Sequence, residues 1–188
     1  MQALILCGMP AAGKTAAAEI ISQKLHIEAL GIGDVLKEIA MDKGYKVTGE
    51  GWWDTPEGFK FLQERRGNPE FDKEADRRLL QKIEKGNIVI TSYTAPWISK
   101  KGIKCWLDAT PETRAKRMAM RDSMTIERAR EVIVIRDREN YELYKKMYGI
   151  ELGKDMKPFN IIVDANKITP EQVADEIIQQ AAKFEGKR

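Results

Sequence analysis

Eight consecutive residues carry the most chemistry in this chain: Gly8-Met9-Pro10-Ala11-Ala12-Gly13-Lys14-Thr15, followed by Ala16. They match the phosphate-loop pattern in which two glycines bracket four residues and Lys-Thr follows. The glycines let the backbone curl until successive N–H groups point inward at phosphate oxygens. A helix starting at the loop's end adds unsatisfied donors and a partial positive charge. Lys14 has the reach for the β- and γ-phosphates of a nucleotide, and the Thr15 hydroxyl suits Mg²⁺. Nucleotide binding, with Mg²⁺ beside the phosphates, follows from that spacing.

A second group is cationic. Arg114, Arg117 and Arg121 recur at helical spacing, and Arg128, Arg130, Arg136 and Arg138 continue past a break near Asp122-Ser123. Guanidinium groups stabilise the charge spread over a phosphoryl group in transit. The same residues could equally be a solvated helix laced with ion pairs to Glu112, Glu127, Glu131 and Asp137. Behind a phosphate loop, two or three of them are expected to work on phosphate. Interleaved acids argue against a nucleic-acid-binding helix. A third group is Trp52, Trp53, Phe59 and Phe61 before Asp72, Asp76, Arg77 and Arg78. It reads either as a satellite core or as a base pocket, with aromatic faces for stacking and a carboxylate for an exocyclic amine.

The elements that must hold these residues are legible. Ala3–Cys7 is an apolar run of the kind buried on both faces of a parallel sheet. A helix follows from Thr15 to Leu25, then a short strand at 27–30. Asp34 is expected to cap the next helix. From Gly44 to about Pro69 glycines, tryptophans and prolines break the rhythm, and two helices, 56–65 and 71–85, are expected to fold back as an inserted cap. Strands follow at 88–90, in "IKCWL" and in "NIIVDA". A helix starts with Pro111 at its first position, and a last one runs from 170 to 184. Strands separated by helices of this length predict a parallel α/β sheet.

Composition excludes several alternatives. The 188 residues carry 32 Lys+Arg and 29 Asp+Glu, a net +3 too evenly spread to imply nucleic acid. Hydrophobic residues make 43% and charged residues 32%, which suits a folded domain rather than a disordered chain. Cys7 and Cys105 have no metal spacing, sit in apolar runs and read as small buried hydrophobes. The one histidine, His26, reads as a helix-end residue. No run reaches the roughly 18 apolar residues of a membrane span, so a cytoplasmic protein, expected as a monomer, is the reading.

At this point the chain resembles the small P-loop nucleoside-monophosphate kinases, above all the archaeal type of cytidylate kinase. "GIGDVLKEIA" resembles the start of the family's acceptor-binding helix. "NPEFDKEADRRLLQKIEKGNIVI" is similar to its acceptor-domain helix, turn and third strand. "APWI", "DATPETRAKRMAMRD", "YKKMYGI" and "FNIIVDANKITPEQV" match later segments in the right order. The resemblance implies a three-layer α/β/α P-loop fold with a five-stranded parallel sheet. It implies a core (1–33, 86–116, 141–188), a helical acceptor-binding cap (about 34–85) and an Arg-rich lid (about 117–140). Gly8 to Ala16 with Arg117 would hold ATP, Thr15 would ligate Mg²⁺, and Lys14, Arg121 and Arg136 would be catalytic. Asp34, Lys37, Asp76 and Arg77 would bind the acceptor nucleotide, with CMP or dCMP the first choice. The chain departs from the family at Thr91-Ser92-Tyr93, where Glu-Gly-Arg is common, and at Lys37 and Leu143, where arginine is usual. A divergent member phosphorylating another small molecule, or a nucleotide-binding module with weak ATPase activity, is the alternative.

Overall fold

The computed structural model describes residues 1–49, 52–53 and 55–185. Residues 50, 51 and 54 of the expected cap and 186–188 of the expected core lie outside it. Five strands form one parallel sheet: β1 (Leu4–Cys7), β2 (Glu28–Gly31), β3 (Ile88–Thr91), β4 (Ile103–Asp108) and β5 (Ile161–Asp164), in the order β2-β3-β1-β4-β5. Each crossover contains a helix, as parallel pairing requires. The helices are α1 (Lys14–Leu25), α2 (Ile32–Asp42), α3 (Pro56–Arg66), α4 (Glu70–Lys85), α5 (Ala95–Ile98), α6 (Pro111–Arg121), α7 (Ile126–Tyr148) and α8 (Pro170–Glu185).

Strand alternation divides the core in two. Leu4 and Leu6 of β1, Val89 of β3 and Ile103, Cys105 and Leu107 of β4 face α1 and α8. Ile5, Ile88 and Ile90 face the other way, onto Val35 and Ile39 of α2 and Leu79 and Ile83 of α4. That second cluster runs on without a gap into Trp52, Phe61 and Phe71. Of the two readings of the aromatic group, the structure supports the satellite core. Trp52 and Phe61 are fully buried, with ring centroids 5.6 Å apart, and Tyr45 and Phe71 complete the packing. Phe59 is outside it, 55% exposed.

Local signals set most helix ends. Thr55, Thr110 and Thr125 cap α3, α6 and α7, each accepting from a backbone N–H three residues on. His26 ends α1 in the left-handed region, at φ 54°, the helix-end role its position suggested. Asp34 does not cap α2 as expected. The helix starts three residues earlier, with Gly31 as the cap, and the Asp34 carboxylate reaches back to accept from the Gly31 N–H at 2.8 Å. The break between the Arg-rich helices is where the sequence put it, with Asp122 closing α6 and Ser123 at φ 50°.

Candidate active site

The phosphate loop joins β1, the middle strand, to α1, so it lies above the C-terminal edge of the sheet where α/β folds place ligands. Its glycines are there for steric reasons. A Cβ on Gly8, at φ 155°, would come within 2.7 Å of the Leu107 carbonyl oxygen. Gly13 sits at φ 101° immediately before α1, where other residues are strained.

Lys14 folds back over this loop. Its ammonium donates to the carbonyls of Gly8 (2.8 Å) and Met9 (3.1 Å) and lies 4.6 Å from the centre of the Tyr93 ring. Burial, chiefly, pulls its pKa down to about 8. Nearby Arg136 and Arg114 push the same way, while Cys7 and Asp137 oppose. A phosphate in the loop would reverse that balance by giving the ammonium a counter-charge.

The expected cations behave differently from one another. Arg121 and Arg136 line a cavity of about 410 Å³ with Lys14, Thr15 and Tyr93. Arg136 is exposed at its mouth, and Arg121 is paired to Asp122 at 2.6 Å. Arg117 lines a second opening of the loop with Gly13, Lys14 and Thr15, and donates to the carbonyls of Ala12 and Ala165. Arg114, on the same helix, is 3% exposed. It makes a bidentate pair with Asp137 of α7 (2.9 and 2.7 Å) and donates to the carbonyls of Ala109 and Pro10. It therefore ties the phosphate loop, β4, α6 and α7 together. The ion-pair reading of the Arg-rich region holds for Arg114 with Asp137 and for Arg128 with Glu131, while Arg121 and Arg136 line the cleft.

The acceptor-side expectations divide as well. Asp34 reaches the cleft, beside Gly31, Thr91 and Tyr93. Asp76 does not: it is 6% exposed and accepts from the Thr94 hydroxyl and the Tyr148 hydroxyl, both at 2.6 Å. Burial, the largest cause, raises its pKa against those two hydrogen bonds. Arg77 is exposed and paired with Glu74 one turn back on α4. Lys37 donates to the Gly49 carbonyl. The structure thus brings Asp34 to the loop but not Asp76, Arg77 or Lys37.

Sequence reasoning missed Glu19, which lines both openings of the loop. It lies four residues after Thr15 on α1, so helical spacing could have found it. It also missed Arg114 as a tie between segments, for which no local signal exists. The donor set fits Mg²⁺. The Thr15 hydroxyl is exposed to both openings, and Mg²⁺ favours a few protein oxygens plus phosphate and water. Among the described residues no cluster of three or more His, Cys, Asp or Glu could hold a metal by itself. Nor is any helix long and apolar enough to cross a membrane.

A parallel sheet whose middle strand runs into a phosphate loop, faced by arginines from two later helices, is the architecture of a P-loop phosphotransferase. The chain matches the cytidylate kinase-like family over residues 6–167, and it belongs to that family. It is 28% identical over 171 residues to the cytidylate kinase of Pyrococcus horikoshii, covering 90% of this chain and 83% of that one. It is 27% identical over 185 residues to the cytidylate kinase of Sulfurisphaera tokodaii, covering 96% and 95%. In fold it is similar to shikimate kinase from Acinetobacter baumannii, with a TM-score of 0.56 at 15% identity over 98% of this chain and 94% of that one. An uncharacterized protein from Eubacterium ventriosum superposes over the whole of both chains with a TM-score of 0.70 at 14% identity.

Proposed function

We propose that this protein transfers the γ-phosphoryl group of ATP to the phosphate of a nucleoside monophosphate, with CMP or dCMP the preferred acceptor. The observation that carries the reading is the single cavity in which Lys14 and Thr15 of the loop meet Arg121, Arg136 and Asp34. Gly31 and Thr91, at the C-terminal ends of β2 and β3, line it too. Family membership and relatives named cytidylate kinases support the same chemistry.

An acceptor phosphate is already a nucleophile, so no general base is required and catalysis is positioning plus cationic stabilisation. Loop N–H groups and the helix α1 terminus hold the donor phosphates. Lys14 moves from the Gly8 and Met9 carbonyls onto them, and Arg136 and Arg121 neutralise charge on the group in transit. Thr15, together with the nucleotide, would hold Mg²⁺, which would supply neutralisation of phosphate charge. Closure of the cap, 34–85, and lid, 117–140, over this cavity excludes water.

Release of ADP from ATP and Mg²⁺ against CMP, dCMP, UMP, AMP and GMP, beside a blank without acceptor, tests the proposal. Stimulation by CMP or dCMP is expected. No stimulation by any of the five, with ATP still bound, would refute it. One observation favours the second reading, a different small-molecule acceptor. Tyr93 packs its ring against Lys14 and Tyr144, where the resemblance calls for an arginine.

A further inference from the structure

Lysine carries more rotamer freedom than almost any side chain, and fixing it on a ligand costs that freedom. In this chain three groups place the Lys14 ammonium beside the loop. The Gly8 and Met9 carbonyls accept from it, and the Tyr93 ring lies under it, with the nitrogen 4.6 Å from the ring centre. That separation is within the roughly 6 Å over which an aromatic face attracts a cation. The ring takes the side of the ammonium that the carbonyls leave open, toward the cavity that Lys14 and Tyr93 both line.

The ring is itself held from two directions. Its backbone belongs to the turn between β3 and α5, and both neighbours of Tyr93 are pinned. The Ser92 N–H donates to the Leu6 carbonyl of β1 at 3.1 Å, and the Ser92 hydroxyl oxygen accepts from the N–H groups of Thr94 and Ala95 at 3.1 and 3.0 Å. The Thr94 hydroxyl donates to one oxygen of Asp76, and the Tyr148 hydroxyl of α7 donates to the other. Ser92, Thr94 and Asp76 are all buried. Four residues before Tyr148, Tyr144 stacks on the Tyr93 ring, with centroids 5.6 Å apart and planes 30° apart. Both rings and Met9 of the loop pack against the cluster of Cys7, Trp106, Ile150 and Leu152. The helix that steadies Tyr93 is thus the one that carries Arg136 into the same cavity.

We propose that Tyr93 is a positioning residue for Lys14: its ring, clamped by Tyr144, keeps the ammonium beside the phosphate loop, so that the phosphates of a nucleotide meet it in place. Ordering that is built into the protein is not subtracted from the binding energy of the ligand. A guanidinium at position 93, which the resemblance calls for, would repel the ammonium instead of steadying it. The residue therefore serves the donor side, and the inference needs only that the loop binds nucleotide phosphates, whatever the acceptor.

Calorimetric binding of ATP in the presence of Mg²⁺ tests it in wild type, Tyr93→Leu, Lys14→Ala and the double variant. Tyr93→Leu should weaken ATP binding by about 3- to 30-fold, the range of a cation–π contact. The same change made in Lys14→Ala should alter affinity by less than about 2-fold, because its effect passes through the lysine. Tyr93→Phe keeps the ring face and should restore binding to within about 2-fold of wild type. Acetylation of the Lys14 amine by acetic anhydride, read by mass spectrometry in the nucleotide-free protein, needs no residual affinity in Lys14→Ala. It should be at least about 3-fold faster in Tyr93→Leu than in wild type or Tyr93→Phe. Tyr144→Leu removes the clamp and leaves the ring under the ammonium. It should shift both readouts in the same direction by a smaller factor, and it carries the test if Tyr93→Leu does not fold. Equal losses of ATP affinity with and without Lys14, a Tyr93→Phe protein as weak as Tyr93→Leu, or unchanged acetylation of Lys14 would overturn the inference. Acceptor turnover enters neither readout, so these results stand or fall apart from the choice of CMP.

Discussion

The tie between Arg114 and Asp137 should break asymmetrically. The Arg114 side chain is 4% exposed and that of Asp137 is 25% exposed. Asp137→Leu strands a guanidinium in the interior with only the Ala109 and Pro10 carbonyls for partners. Loss of one member of a buried ion pair costs about 3–5 kcal/mol. Arg114→Met leaves instead a carboxylate that water already reaches, and two carbonyls without their donor. A buried unsatisfied group costs roughly 1–3 kcal/mol, and the new apolar packing offsets part of it. Asp137→Leu should therefore be the more damaging change, by about 2 kcal/mol. The double variant should recover much of the loss, because neither charge is then left buried and alone. Urea unfolding monitored by tryptophan fluorescence gives all three values, and the cycle isolates the coupling. For a chain of this size, a change of about 1 kcal/mol moves Tm by about 2–4 °C, so the asymmetry is visible in a thermal scan as well. Activity should not recover with stability. The double variant no longer ties α7, and with it Arg136, to the Pro10 carbonyl, so kcat should stay low. Equal costs for the two single variants, or full activity in the double variant, would refute this account of the joint.

Three other outcomes follow from the same site. Lys14→Ala should abolish turnover and leave the unfolding transition in place, since the hydrogen bonds of the ammonium go to loop carbonyls and its one ring contact is with Tyr93. Activity comparable to wild type would sink the mechanism. Because Lys14 sits at about 8 in the structure and a bound phosphate raises it, ATP binding should take up a proton above that pH. KM for ATP should then rise by up to about tenfold per pH unit above 8, as one-proton linkage requires, and a flat profile from pH 7 to 9.5 would contradict it. The same depressed value penalises the charged lysine in the folded state, so this residue's contribution to stability improves as pH rises from about 8 toward its ordinary 10.5. Gly8→Ala should weaken ATP binding and destabilise the fold. Its Cβ meets the Leu107 backbone oxygen at 2.7 Å in a left-handed conformation, and unchanged ATP affinity would show that the loop can move aside.

The sequence by itself determined the phosphate loop, the five strands and the order of the helices around them. Those features are written in contiguous residues: glycines at a turn, a lysine and threonine opening a helix, apolar runs four to six residues long. Pro56 and Pro111 at the first helical position fixed the starts of α3 and α6, because a helix start needs only its own first turn. Asp34 shows where local reading stopped short, since the same carboxylate satisfies the Gly31 N–H from inside the first turn as readily as it would from a cap position.

Tertiary structure alone decided what each arginine does. Arg114, Arg117, Arg121 and Arg136 share a residue type and a helical rhythm. Packing of α6 against α7 and the loop buries the first, turns the second onto loop carbonyls and leaves Arg121 and Arg136 lining the cleft. It also took Asp76 away from the acceptor side, because Thr94 and Tyr148 reach it from segments 18 and 72 residues away. It brought Arg65 and Asp72 from α3 and α4 to a cavity closed by α7. A charge's environment is set by what surrounds it in three dimensions, and residues far apart in the chain supply those surroundings.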